Sequence, residues 1–281
     1  KVWNKDLNFM VLVVNGVDSL LAYEGIDIFD LENISKTYPE EYQYIKKYED
    51  DKSSALRWAL KPLFLKFLLE EKQMDKVIFL DPDLYFYENP SFLFEKLNDK
   101  DVIITPHWRA KDPKLDASNF DELFTGGIFN AGFFGCNKRA INILDWWLEV
   151  CTYKMDKKDG FYVDQIYLNL MPIYFTSQVE IIQHKGCNVS NWNMIECERT
   201  KTNDGVRIND KYPIVFIHFT NGTIFNIASG SDKILSPLLD IYREALLVHN
   251  SDFKFNSEVS KNRVITGRKS ILNRILQRLN N

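Results

Sequence analysis

KVIFLDPDL, residues 76–84, sets an unbroken apolar run, Val77 to Leu80, against two carboxylates, Asp81 and Asp83. A short apolar run that ends in Asp and Pro reads as a strand buried on both faces. Strands of that kind belong to mostly parallel sheets with helices on each side, because a sheet exposed on one face alternates apolar with polar residues. Ligands of such sheets bind beyond the carboxyl ends of the strands. Asp81 and Asp83 therefore fall on the edge where a ligand is expected.

The same pattern repeats outward. Upstream, residues 53–71 place Leu56, Leu60, Phe64, Phe67 and Leu68 at helical spacing, predicting an amphipathic helix with Ser53 as its N-cap. Pro62 is expected to interrupt that helix or to mark a second start. Residues 9–14 (FMVLVV) read as another buried strand, turned by Asn15-Gly16, and residues 30–50 are polar with helical spacing in places. Downstream, strands are expected at 102–105, 129–136, 179–182 and 214–219, with helices at 141–153 and 164–171. Strands alternating with helices predict an α/β domain with a mostly parallel central sheet and helices on both faces. No repeat or low-complexity linker divides the chain. The expected organisation is a catalytic domain over 1–230 and a C-terminal helical extension over 231–281.

Composition limits the function classes. The chain has 281 residues, 45% hydrophobic and 26% charged, which fits a folded globular protein. Its net charge of −4 argues against nucleic acid as a partner. No apolar run reaches the ~18 residues of a spanning helix. Cys136, Cys151, Cys187 and Cys197 are widely spaced without a CxxC pair, so they read as reduced thiols of a cytoplasmic protein. The segment 254–281 differs from the rest: it holds seven Lys or Arg against one Glu, with Ile271, Ile275, Leu276 and Leu279 forming an apolar stripe. It reads as a basic helix that packs on the main domain or touches an anionic membrane surface or a partner protein.

Four local features carry chemistry. Asp81-Pro82-Asp83 offers the oxygen ligands that hard divalent cations prefer; the same triplet also makes a turn whose side chains cap backbone amides. His218 ends an apolar strand and suits either a rim hydrogen bond or a metal site. Asp164-Gln165 with Asn169 lies on a short helix, where such residues are commonly solvated. Asn130-Ala131-Gly132 sets a polar amide beside small residues, which lets a ligand approach the backbone. His107, Trp108, Arg109, Trp192 and Asn193 are candidates for the wall of an acceptor cleft.

Taken in order, DPD, FNAG, VDQIYLN and HFTNG resemble the motifs of GT-A glycosyltransferases, and most of all the retaining hexosyltransferases of family eight, the glycogenin and lipopolysaccharide galactosyltransferase type. The likeness runs from Ser53 to Gly222, and more loosely back to Val2. KVIFLDPDLYFYENPSFLFEKL, FNAGFFGCN and NVSNWNM also look like segments of related bacterial surface-polysaccharide transferases. The resemblance implies a GT-A fold, a nucleotide-diphosphate sugar as donor (UDP- favoured, GDP- the alternative), Mn²⁺ or Mg²⁺, and a glycan or lipid-linked acceptor. It implies that Asp81, Asp83 and His218 hold the metal, Asp83 being the surest ligand. Asn130, Ala131 and Gly132 would line the donor sugar, Lys61 would contact the donor, and Gly222 would admit the diphosphate. Gln165 would lie beneath the anomeric carbon with Asp164 beside it. Two departures stand out. The family's first strand, which contacts the base, is expected to precede Lys1. The Lys often found three residues beyond the HFxG glycine is replaced by Phe225. The expected setting is the cytoplasmic face of the inner membrane. The rival readings are a sugar-nucleotide pyrophosphorylase and an inactive GT-A scaffold.

Overall fold

The computed structural model describes residues 7–14, 25–49, 54–249, 251 and 253–255. Ser53, the Asn15-Gly16 turn and the apolar stripe of the basic tail lie outside the described residues. Strands β1 (Phe9–Val13) and β2 (Ile26–Asp30) pair in parallel as a separate two-stranded sheet. Phe9 and Val11 are exposed on it, so the expected buried strand is buried on one face only. Helices α1 (Leu31–Thr37) and α2 (Pro39–Ile45) follow, and Asp30 caps the first by accepting from Asn33 N.

Helix α3 (Ala55–Glu70) corrects the sequence reading twice. It runs unbroken through Pro62, and it is not amphipathic: twelve of its sixteen residues are buried. An interior proline costs about 3 kcal/mol. Each buried leucine or phenylalanine contributes about 1.5–3 kcal/mol, so a helix enclosed on nearly every side carries the proline without breaking. Lys61 sits within this apolar helix and is itself buried.

The central sheet has strand order β3 (Lys76–Leu80), β6 (Phe129–Asn137), β5 (Val102–Pro106), β7 (Val179–Ile181). β3, β5 and β7 share one direction, and β6 alone runs against them. The sheet is thus mostly parallel in strand direction, although β6, inserted between β3 and β5, makes both of its pairings antiparallel. Helices α3 and α6 (Ile141–Tyr153) cover one face and α4 (Ser91–Asp99) the other. Side chains alternate between the faces: Val102 and Ile104 point into the α3–α6 core, Ile103 into the α4 core. Trp147 of α6 is fully buried against Phe134.

Two features depart from a plain sheet. The pairing of β5 with β6 shifts register: Ile104 lies opposite Phe134, and Pro106 opposite Phe129. Two steps of β5 therefore face five of β6, and Asn130–Gly132 bulge out of the ladder, while Phe133 stays paired with Leu80 of β3. Second, residues 214–219 do not join this sheet. The strand there is shorter, β11 (Phe216–His218), and pairs antiparallel with β4 (Leu84–Phe86), which directly follows the Asp81-Pro82-Asp83 turn. The sequence gives little sign of β4, whose three residues are too few for a periodicity to show. Helix α5 (Ala117–Thr125) follows β5 and α7 (Met171–Tyr174) precedes β7. A small antiparallel sheet, β8 (Arg199–Thr202), β9 (Gly205–Ile208) and β10 (Tyr212–Pro213), follows β7. Helices α8 (Asn221–Ala228) and α9 (Ser236–His249) close a second core, where Tyr242 stacks on Phe219 at 4.4 Å. The short helix expected at 164–171 is a 3-10 turn, Gln165–Asn169, running into α7. Among the described residues no helix is long and apolar enough to cross a membrane. The four cysteines are free and buried.

Gly135 marks the tightest packing in β6. A Cβ there would sit 2.5 Å from Ile103 Cγ1, inside a sheet held from both faces. Gly135→Ala is expected to destabilise the fold by about 1–3 kcal/mol, read as a lower urea midpoint at unchanged m-value. An unchanged midpoint would show that the α4 core yields more readily than its packing indicates.

Candidate active site

The bulge in β6 organises the site. Three consecutive residues leave the ladder inside a buried strand, and their backbone groups need other partners. Ala131 O accepts from Lys61 Nζ at 3.0 Å, and Ala131 N donates to Gln165 Oε1 at 3.1 Å. Gly132 N donates to Asn130 Oδ1 at 2.7 Å, and Gly132 O accepts from Asp81 N at 2.8 Å. The FNAG segment, the helix lysine, the Asp-Gln turn and the first Asp of DPD thus meet on one short length of main chain.

His218 arrives through the β4–β11 register. It lies opposite Leu84, and Phe219 N donates to Asp83 O at 2.8 Å, so pairing these strands sets His218 beside Asp83. Its Nε2 is 2.9 Å from Asp83 Oδ1, and its Nδ1 is 2.8 Å from Asn130 Nδ2. Asn130 Oδ1 is taken by Gly132 N–H, so its amide nitrogen faces the imidazole and Asn188 Oδ1. Which ring nitrogen carries the proton follows from the tautomer, and a cation held at Nε2 takes the tautomer protonated at Nδ1. Burial pushes the Asp83 carboxyl up, but the His218 hydrogen bond and charge, a backbone hydrogen bond and the Lys61 charge together outweigh it and hold Asp83 below its ordinary value. Asp81, Asp83 and His218 each offer a ligand atom, all within 4.8 Å of one another. Gly132 leaves room for them: a Cβ there would come within 2.7 Å of His218 Cε1 and 2.8 Å of Asp81 Oδ2.

Lys61 Nζ is 3.1 Å from Asp164 Oδ2 and 3.6 Å from Asp81 Oδ1. Burial alone would lower its ammonium; the two carboxylates outweigh that and hold it above the ordinary lysine value. Burial raises Asp164 above the usual carboxylate range against the pull of Lys61. Asp164 is 1% exposed, so the sequence expectation of a solvated residue is corrected. Gln165 is also engaged at both ends, its Nε2 donating to Gly126 O at 2.6 Å. Val163, just before them, has a φ of 45°, a left-handed conformation that a β-branched residue rarely adopts. Counted as charges, Asp81, Asp83 and Asp164 against Lys61 leave two negative charges beside an imidazole nitrogen. Two carboxylates and an imidazole with that excess charge suit a hard divalent cation such as Mg²⁺ or Mn²⁺.

These residues border a cavity of about 630 Å³, the size of a small-molecule site. Lys61, Asp81, Asn130, Ala131, Gly132, Asp164, Gln165, His218 and Gly222 line it. His107, Arg109 and Trp192 line it too, whereas Trp108 turns away to the second core with Lys185 over its ring at 4.9 Å. Asn193 is buried and carries the loop instead, donating to Asn188 O. The sequence reading passed over Trp58, Asn188 and Arg199. Arg199 is buried, pairs with Asp232 at 3.1 Å and donates to Ser190 O and Asn193 O, clamping the loop that presents Asn191 and Trp192. A lone Arg beginning a polar strand gave no sign of this. Asn188, the first residue of an N-x-S sequon, is fully buried.

No family model matches the chain. It is 28% identical over 189 residues to the uncharacterized protein YfnF of Bacillus subtilis strain 168, covering 65% of this chain and 62% of the relative, so it spans less than two thirds of that relative's length. Mouse xyloside xylosyltransferase 1 in its apo form superimposes with a TM-score of 0.43 at 15% identity, over 70% of this chain and 76% of that one. A glycosyltransferase involved in glycosylation of the major capsid of PBCV-1 gives a TM-score of 0.40 at 11% identity, over 76% and 93%.

His107 provides a test of the cavity wall. It is buried, its Nδ1–H donates to Gly127 O at 2.9 Å, and burial, followed by the charge of Arg109, pushes its pKa down to about 3. It is neutral when folded and takes up a proton on unfolding below the ordinary histidine value. Its stabilising contribution is full above pH ~6.5 and declines by about 1.4 kcal/mol per unit as pH falls from there towards 3. Urea midpoints of the parent are therefore expected to drop more steeply between pH 7 and 4 than those of His107→Gln. Parallel curves would mean that His107 titrates alike in the folded and unfolded states.

Proposed function

We propose that the chain is a metal-dependent glycosyltransferase. It moves a hexose from a nucleotide-diphosphate sugar, UDP- favoured over GDP-, to a glycan or lipid-linked acceptor with retention of configuration, in bacterial surface-polysaccharide assembly at the inner face of the membrane. The observation that carries this reading is the meeting of Asp81, Asp83 and His218, of which Asp81 and His218 line the cavity, directly beside the bulged Asn130–Gly132 backbone and the Lys61–Asp164–Gln165 group. The order of the four motifs in the sequence supports it independently.

Asp81, Asp83 and His218 would hold Mn²⁺ or Mg²⁺, which supplies Lewis acidity towards a diphosphate leaving group. The chain's own residues do the rest. Gly132 leaves room for His218 and Asp81, Gly222 leaves room for the Asn191 amide, and Asn130 fixes the imidazole. Lys61 keeps a positive charge beside Asp81 and Asp164, positioned by Ala131 O. In the proposed step the bond from C1 to the diphosphate oxygen breaks, and the acceptor hydroxyl oxygen bonds to C1 on the same side. The hydroxyl proton passes to the leaving phosphate oxygen. Asp164 and the remaining Oε1 lone pair of Gln165 stabilise positive charge developing on the ring. A double displacement through Asp164 is the competing route; the burial of Asp164 and its ion pair with Lys61 favour the electrostatic role.

A thermal-shift screen of UDP-, GDP-, dTDP- and CMP-sugars, each with and without Mn²⁺, tests the reading. One nucleotide class should raise the melting temperature only with metal, by mass action. Asp83→Ala should still melt cooperatively, at a slightly lower ligand-free temperature because the His218 hydrogen bond is lost, and should lose the metal-dependent shift. No shift with any donor would sink the proposal, and loss of the cooperative melt would make Asp83 structural. Gln165→Ala should lower kcat more than it raises KM, because a group that acts in the transition state leaves ground-state binding largely intact.

A further inference from the structure

The expected diphosphate side of the cavity does not account for Arg109. Its side chain is 10% exposed and lines the cavity. Its Nη2 pairs with Glu122 Oε2 at 2.8 Å, and its Nε is buried with no hydrogen-bond partner among the described residues. Glu122 also lines the cavity and is half exposed, and among the described residues it is the guanidinium's one ion-pair partner. Arg109 lies against Gly126, where an added Cβ would meet its Nη2 at 3.3 Å, and Gly126 O is the acceptor of Gln165. Among the described residues it pairs with Glu122 and packs against Gly126, not with Asp81, Asp83 or His218.

Two further observations place weight on this position. Trp108, immediately before Arg109, has a φ of 52°, a left-handed conformation costly for a bulky residue. Strain of that kind persists where the surrounding structure enforces it, and it concentrates at functional positions. A second cation also borders the cavity. Lys157 Nζ lies 4.5 Å from the Trp58 ring centre and 5.1 Å from that of Tyr162, and among the described residues no carboxylate pairs with it. All three of these residues line the same cavity. Of the carboxylates nearby, Asp116 is spent on capping α5 through Asn119 N. Glu122 is the one that competes for the guanidinium.

We propose that Arg109, assisted by Lys157, forms an anion-recognising subsite on the acceptor side of the cavity, and that the acceptor carries a carboxylate or phosphate there. Glu122 holds the guanidinium in its absence and yields it when the acidic acceptor enters. The planar fork of an arginine suits both oxyanions in a bidentate pair. A neutral acceptor would leave a buried guanidinium half satisfied, which is costly. The word acceptor rests on the glycosyltransferase reading; the preference for an anion does not.

The test is saturation-transfer NMR on the whole chain with matched sugars: methyl glucoside, methyl glucuronide and glucose 6-phosphate. Each is titrated with and without UDP and Mn²⁺. The parent should bind at least one acid roughly tenfold more tightly than the neutral sugar, as expected for a charge-assisted pair, and the stronger of the two acids identifies carboxylate or phosphate. Arg109→Met should remove the preference. Glu122→Gln should tighten the acid severalfold, and because its carboxylate is half exposed this variant serves even if Arg109→Met fails to fold. Equal binding of acids and neutral sugar overturns the proposal. So does a preference untouched by both substitutions, and so does complete displacement of the acid by UDP, which would place the anion in the diphosphate position. If no nucleotide sugar binds under any condition while the Arg109-dependent preference persists, the transferase reading falls and the anion subsite stands.

Discussion

Three residues of buried main chain without ladder partners are the constraint around which this molecule is arranged. Where β6 bulges away from β5, Asn130, Ala131 and Gly132 still need hydrogen bonds, and water is not there to supply them. Lys61, Gln165 and the Asp81 amide supply them instead, while Asn130 bonds back to Gly132. The consequence is chemical as well as structural. An ammonium, an amide and a carboxylate are drawn from three separate elements to within a few ångströms, in a place sheltered by α3. Lys61 is then tolerable inside an apolar helix only because Asp164 and Asp81 meet it. The same backbone irregularity that weakens the sheet locally creates the polar centre of the cavity.

Much of this was legible in the sequence, for identifiable reasons. The helix at Ile141–Tyr153 and the strands at Lys76–Leu80 and Val102–Pro106 are long or apolar enough for periodicity to mark them. DPD, FNAG, DQ and HFTNG stood out because polar groups beside strand ends and small residues are unusual inside apolar runs. The helix containing Lys61 was legible in extent and not in character: its enclosure by α1, α2, α6 and the sheet is a tertiary fact, and counting apolar residues at three and four missed it. Asp164 was misjudged for the same reason, since a carboxylate's burial depends on a lysine more than a hundred positions away.

The unforeseen parts are those that depend on pairing. The reversal of β6, the short strand β4 and the detachment of β11 from the central sheet leave no trace in composition or spacing. Nor do Arg199, whose hydrogen bonds to Ser190 O and Asn193 O hold the Trp192 loop, or Glu122, which lies in a stretch that the sequence reading assigned to no element. Each is a single charged residue whose meaning comes from the partner it meets.

The register of β4 against β11 carries one more consequence. It joins Asp83 to His218 across well over a hundred residues of chain, whereas the central sheet is complete by β7. Closing so long a loop is among the slowest and entropically costliest events of folding. His218 also follows every strand of the central sheet in the chain. A nascent chain that has not yet delivered β11 has a sheet and a cavity wall but no chelating trio. A cation bound by all three candidate ligands would thus report on a finished chain, since one lacking β11 offers only the two carboxylates.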